Sequence, residues 1–278
     1  MADLDHGDWR DHVTDGIGWR ERPGDGPALV CLHGIGSRAS GWEPLAAYLP
    51  GWRLIAWEAP GYGPSAPLAE EWPVAQAYAK ALKDLTNGLG LTAFHLLGHS
   101  LGTLIGVSYA RNYPQGLESL TLASCAQGGG LMPKETLAPA HQTRISELQE
   151  LGAERFSSQR APRLIHQPDR NPALVAAAEA AMRSVTLPGY AQAVRMLASG
   201  ALAQDCAMLS TPTAVIVGAE DVVTPPDQSQ RAYDALRAPR GLVVVPECGH
   251  ALPLQAPAAL AQLILTQAAA RAVQGVSS

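Results

Sequence analysis

The sequence predicts an α/β protein: a mostly parallel sheet flanked by helices on both faces and interrupted once by a helical insertion. Three observations lead there. Short, near-continuous apolar runs such as Ala28–Leu32 and Phe94–Leu97 lack the alternation of a half-exposed strand, so they read as strands buried on both faces. Stretches of helical period separate these runs, the rhythm that builds parallel β-α-β units. Between residues 127 and 205 that rhythm stops, and the segment contains no convincing strand.

The elements follow in order. Ala28–Leu32 is the first buried strand and runs into His33-Gly34; Arg53–Trp57 is the second and ends at Ala59-Pro60-Gly61. Residues 74–88 read as a helix with Leu82, Leu85 and Leu89 on one stripe. Phe94–Leu97 is a third strand, followed directly by a helical stretch from Ser100 to Tyr113 and a fourth strand, Leu117–Ala123. The insertion opens with Gly128-Gly129-Gly130 and carries helical pieces at Ala173–Val185 and Tyr190–Ala198, broken by prolines such as Pro139, Pro162 and Pro188. The rhythm resumes with strand Thr213–Val217, helix Pro226–Leu236, strand Leu242–Val245 and helix Ala258–Ala270. The expected plan is a core of residues 1–126 and 206–278 carrying a helical cap, 127–205. Ahead of the first strand, Met1 to His12 reads as a polar, acidic leader without the basic-then-apolar layout of a secretory signal.

Composition narrows the function classes. The chain has 278 residues, 47% hydrophobic and 16% charged, with a formal net charge of −5. A nucleic-acid binder would show a basic patch or stripe, and a membrane span would need about 18 consecutive apolar residues; neither is present. Cys31, Cys125, Cys206 and Cys248 are too far apart for a zinc or disulfide framework. They read as small core hydrophobes of a reducing compartment, which makes the cytoplasm the expected location. All six tryptophans lie in the first 72 residues, so the two ends of the chain are built differently.

Chemistry concentrates at the ends of the expected strands. Gly98-His99-Ser100-Leu101-Gly102 follows a strand and opens a helix, the setting in which G-x-S-x-G forms a tight turn that presents the serine hydroxyl above the sheet. A serine is a poor nucleophile at neutral pH and needs a general base oriented by an acid. Asp221, in the loop after Thr213–Val217, supplies the acid, with Glu220 its competitor; His250, after Leu242–Val245, supplies the base. The order Ser, Asp, His is the one expected for a nucleophile elbow on an α/β sheet. His6 and His12 in the leader, His95 in a strand, His99 on the elbow and His141 and His166 in the insertion are weaker candidates. Oxyanion donors are expected from the backbone N–H of Leu101 and of Ile35 in His33-Gly34-Ile35-Gly36, with His33 as a buried support of that loop.

Together with Trp42, Ala59-Pro60-Gly61-Tyr62-Gly63-Pro64-Ser65 and Gly249-His250, these segments resemble the α/β-hydrolase superfamily across residues 28–257. The resemblance implies an α/β-hydrolase fold with an eight-stranded-type sheet, a helical cap inserted after the sixth strand, and no metal or organic cofactor. Within the superfamily the chain is similar to 3-oxoadipate enol-lactonases and, more loosely, to C–C hydrolases of meta-cleavage products, with Leu187-Pro188-Gly189-Tyr190 resembling an enol-lactonase cap helix. It departs at Gln255, where many relatives carry a glutamate; Pro257 is retained.

The expected reaction is hydrolysis of a small ester or lactone through an acyl-enzyme, with C–C bond hydrolysis as the alternative and a non-catalytic ligand-binding member of the fold as the alternative of another class. The insertion holds eight Lys/Arg against seven Asp/Glu, less negative than the core, which favours a carboxylate-bearing substrate. Arg38, Trp42 and Tyr190 are the candidate substrate contacts. A rival pattern, Gly34-x-Gly36-x-x-Ala39 with Glu58 about 20 residues on, imitates a dinucleotide fingerprint but leaves Ser100, Asp221 and His250 unexplained.

Overall fold

The computed structural model describes residues 8–275. Its centre is an eight-stranded sheet of β1 (Arg10–Thr14), β2 (Ile17–Arg22), β3 (Ala28–Leu32), β4 (Arg53–Trp57), β5 (Phe94–His99), β6 (Leu117–Ala123), β7 (Thr213–Gly218) and β8 (Pro239–Val245), in the order β1-β2-β4-β3-β5-β6-β7-β8. Strands β3 to β8 are mutually parallel, while β2 pairs antiparallel with both β1 and β4. The helices are α1 (Glu43–Ala46), α2 (Ala75–Gly88), α3 (Leu101–Asn112), α4 (Pro139–Arg160), α5 (Pro172–Arg183), α6 (Gly189–Ser199), α7 (Leu202–Cys206), α8 (Pro226–Ala235), α9 (Leu252–Gln255) and α10 (Pro257–Gly275). Among the described residues no helix is long and apolar enough to cross a membrane.

The central strands β3 to β7 are mostly apolar because both faces are covered. On one face Val30, Leu32, Ile55, Leu96 and Leu120 pack with Tyr78 and Leu82 of α2 and Ile105 of α3. On the other, Leu29, Cys31, Leu54, Leu97 and Ile216 pack with Leu45 of α1 and Leu260 and Ile264 of α10. Side chains alternate between faces along each strand, so a run such as Ala28–Leu32 feeds two cores at once. All four cysteines are buried and free.

One expectation is corrected. Residues 10–12, the end of the expected leader, belong instead to a hairpin of Arg10–Thr14 and Ile17–Arg22, while residues 1–7 lie outside the described residues. Asp15 and Gly16, at φ 48° and 78°, make a turn whose twist matches the flanking strands. His12 belongs to β1 and stacks on Trp19 at 4.3 Å between ring centroids. His6 lies outside the described residues. The hairpin brings the strand count before the long excursion to six.

After β6 the chain leaves the sheet and returns at β7, having formed α4 to α7. The excursion closes on itself where Leu202 N–H donates to the Gln127 carbonyl (3.0 Å) and Gly130 N–H to that of Gly200 (2.9 Å). It docks on the loop after β4 by backbone contact: a Cβ on Gly189 would lie 2.0 Å from the Gly61 carbonyl oxygen, so no side chain fits there.

Candidate active site

Ser100 joins β5 to α3 at φ 52° and ψ −114°, a conformation a non-glycine residue adopts only under constraint. The flanking glycines make the turn possible. A Cβ on Gly98 would lie 2.3 Å from the Gly102 carbonyl oxygen, and one on Gly102 would lie 2.4 Å from that of Leu32.

Asp221 follows β7 and is buried. One carboxylate oxygen accepts the N–H groups of Val223 and Thr224, both at 2.9 Å; the other lies 2.9 Å from His250 Nδ1 and 3.0 Å from the Thr224 hydroxyl. Burial alone would raise this carboxyl, but the hydrogen bond and charge of His250, with the two N–H groups, outweigh it and hold it down at about 2. An ionised Asp221 makes Nδ1 the donor, which leaves the His250 Nε2 lone pair free to take a proton. Ser100 and His250 meet as walls of one cavity rather than through a hydrogen bond of their own; such contacts commonly tighten only with substrate bound. Glu220, the competitor of Asp221, is exposed.

Ile35 and Leu101 line the same cavity, and neither N–H is spent on a backbone carbonyl among the described residues. The Ile35 loop is held from behind. The Tyr62 hydroxyl donates to the Ile35 carbonyl (2.6 Å), while His33 accepts from Ala59 N–H at Nε2 (3.0 Å) and donates from Nδ1 to the Gly34 carbonyl (2.9 Å). Burial pushes the His33 imidazole down to about 4, so it stays neutral in this role. Glu58, the acid of the dinucleotide-like pattern, is buried 3.9 Å from His33 and 3.6 Å from Arg38.

The cavity at Ser100 encloses about 290 Å3. Tyr190 lines it, as do His141, Arg144, Arg160 and Arg163 from the excursion, and no Asp or Glu does. Arg160 pairs with Glu147 and lies over the Phe156 ring, while the positive charge of Arg144 acts on the Tyr190 hydroxyl. The other two substrate candidates sit elsewhere: Arg38 and Trp42 line a second cavity of about 310 Å3 that shares Gly36, Ser37, His99, Leu164 and His250 with the first.

Sequence reasoning missed several supporting residues. Thr224 touches Asp221 and, at 3.2 Å, His250 Nδ1; its position three residues beyond the aspartate, in a turn, was the available signal. His99 donates from Nε2 to the His250 carbonyl (2.8 Å), its ring kept neutral because burial and the neighbouring His250 push it down to about 3. The sequence showed the arginines only through the insertion's overall charge, not as three of them gathered beside Ser100.

The alpha/beta hydrolase family model matches residues 29–263, and the chain belongs to that family of enzymes. Over 108 residues it is 36% identical to a 2-hydroxy-6-oxononadienedioate/2-hydroxy-6-oxononatrienedioate hydrolase of Pseudomonas putida, a match covering 36% of this chain and 37% of that protein. The chain thus spans little more than a third of the length of such curated relatives. Among solved structures, a thermophilic esterase from Thermogutta terrifontis superposes with a TM-score of 0.80 at 24% identity, covering 95% of this chain and 99% of the other. An enol-lactonase from Burkholderia xenovorans LB400 superposes at 0.81 and 19%, covering 94% and 100%. At these identities the superpositions speak to fold alone.

Proposed function

We propose that the chain is a serine hydrolase of a small ester or lactone whose acyl part carries negative charge, with residues 127–205 as its cap. The observation that carries this reading is the buried Asp221–His250 hydrogen bond beside a cavity that also holds the strained Ser100. His250 Nε2 takes the Ser100 proton as the hydroxyl oxygen attacks the carbonyl carbon. Asp221 holds the imidazole tautomer and stabilises the imidazolium, and the Ile35 and Leu101 N–H groups receive the oxyanion. His250 then protonates the departing oxygen, and water, activated by the same imidazole, releases the acyl group from Ser100. The arginine-lined, carboxylate-free wall supports an anionic acyl group.

One comparison favours a second reading. Several curated relatives are named as hydrolases of 2-hydroxy-6-oxononadienedioate, a dicarboxylate that the same arginines would suit, which favours C–C bond hydrolysis of such a dienone as the alternative for this chain. A panel of aryl hemiesters, enol-lactones and meta-cleavage dienones, run on wild type and Ser100→Ala, separates the two. Esters or lactones should turn over fastest, and Ser100→Ala should lose on the order of 10⁴–10⁶ in kcat. Faster turnover of the dienone would replace the ester reading, and near-wild-type rates in Ser100→Ala would end the mechanism altogether.

A further inference from the structure

We infer that the second cavity is the leaving-group lobe of the active site and that it takes an apolar, aryl-sized alcohol. The inference rests on the reading of Ser100 as nucleophile and divides the substrate between two spaces. Ser100, Leu101 and Ile35 line the first cavity and not the second, so the carbonyl carbon and its acyl chain belong in the first, among the arginines. When the tetrahedral intermediate collapses, the oxyanion re-forms the carbonyl and the bond between that carbon and the ester oxygen of the alcohol breaks. That oxygen takes the electron pair, and the proton on His250 Nε2 passes to it. The leaving oxygen must therefore face His250, a wall the second cavity shares.

The lining differs as the two roles require. Ala177, Ala178 and Ala181 of α5 line the second cavity together with Trp42 and Leu254, and its surface is more apolar than polar, with Arg38 and Glu43 as its charged members. Trp42 is almost wholly buried, so the side it turns to the cavity is a fixed aromatic wall. A volume of about 310 Å3 is at the lower end of ordinary small-molecule sites and accommodates one or two fused rings. Between the cavities stands a soft divider. Met182 of α5 lines only the first, and a Cβ on Gly36, which borders both, would lie 2.9 Å from the Met182 terminal methyl. An unbranched thioether moves aside at little cost, so one substrate can straddle the divider. A lactone keeps its leaving oxygen tethered to the acyl chain; two lobes suit a substrate whose halves separate, an ester.

The test uses the full chain and two monoesters of succinate, methyl and 2-naphthyl, which share one anionic acyl group. Ala181→Leu places a larger side chain in the lobe. The ratio of kcat/KM for the naphthyl ester to that for the methyl ester should fall at least tenfold. Ala177→Leu, at an exposed position one turn away on the same face, should move the ratio in the same direction and serves if Ala181→Leu does not fold. A ratio unchanged within twofold overturns the assignment; so does a larger response to lengthening the acyl chain than to enlarging the alcohol. Calorimetric titration with 2-naphthol reads the lobe without turnover: binding should match in wild type and Ser100→Ala and weaken at least tenfold in Ala181→Leu. Failure of wild type to bind naphthol defeats the inference even where esters are hydrolysed. Naphthol binding that depends on Ala181, in a protein that hydrolyses no ester, supports the lobe's ligand class and defeats the hydrolase reading instead.

Discussion

Ser100 keeps a conformation that costs about 1–3 kcal/mol because its neighbours over-determine it. Its N–H donates to the Ala123 carbonyl (2.9 Å), and its own carbonyl accepts both the hydroxyl and the N–H of Thr103, at 2.6 and 2.9 Å. The acid of the proposed triad is equally constrained, and two adjacent carboxylates make its identity testable. Asp221 is buried with both oxygens bonded, whereas the Glu220 side chain is exposed and only its backbone N–H is engaged, to the Cys248 carbonyl. Asp221→Asn should therefore lower kcat on the order of 10⁴-fold, because the amide reverses the tautomer preference of His250. Glu220→Gln should stay within about twofold. Steady-state rates on one aryl hemiester decide between them, and the opposite ranking would move the acid to Glu220. Ser100, Asp221 and His250 could be read from the sequence because each follows a strand in a fixed order. His99 could not, since the residue between glycine and serine in G-x-S-x-G is unconstrained by the pattern, and its bond to His250 joins residues 151 positions apart.

At the scale of elements, the loop bearing His250 is stitched to the excursion that covers it. Ala251 N–H donates to the Leu164 carbonyl (2.8 Å), and Gln255 at the end of α9 accepts the N–H groups of Gly249 and His166, both at 2.9 Å. The same amide returns a donor to the His166 carbonyl at 3.3 Å. A glutamate here would keep both acceptor contacts and lose the returned donor, setting a carboxylate against a carbonyl. Gln255→Glu should thus cost less stability than Gln255→Ala, which strands two N–H groups at about 1–3 kcal/mol each if they stay dry. Urea unfolding at neutral pH tests the ranking, and an alanine variant as stable as wild type would show the clamp to be dispensable. The sequence marked position 255 as a departure from its relatives but held no sign of what the amide touches. The hairpin is the converse case: Asp15-Gly16 was a readable turn signal, obscured because Arg10–Thr14 is polar. An edge strand with one face toward solvent needs no apolar run, and no residue of β1 is fully buried, with only His12 and Thr14 half-buried. Within the excursion, Gly152 at φ 71° breaks Pro139–Arg160 into two pieces, so its helical period is interrupted and its inward face was illegible.

For the whole molecule, buried histidines couple the fold to pH. His33 and His99 are held neutral in the native state, at about 4 and about 3, against an ordinary value near 6.5, burial being the main cause for both. Between those values and 6.5 the unfolded chain binds more protons than the native one, so stability falls as pH drops through that window. Each histidine removes about 2 kcal/mol between pH 7 and pH 5, a large share of the roughly 5–15 kcal/mol a domain of this kind holds. Asp221 acts later. Its native value near 2 lies below the ordinary 3.8, so its contribution is present above about pH 4 and is lost as pH falls toward 2. Acid destabilisation should accordingly begin below about pH 6.5, before Asp221 titrates. His99→Gln isolates one source: the amide can still donate to the His250 carbonyl but takes up no proton. Its free energy of unfolding, measured in urea from pH 7 to pH 5, should fall about 2 kcal/mol less than that of wild type. Parallel pH dependences in the two proteins would mean that His99 is not the group whose burial sets this limb, and the acid sensitivity would pass to His33.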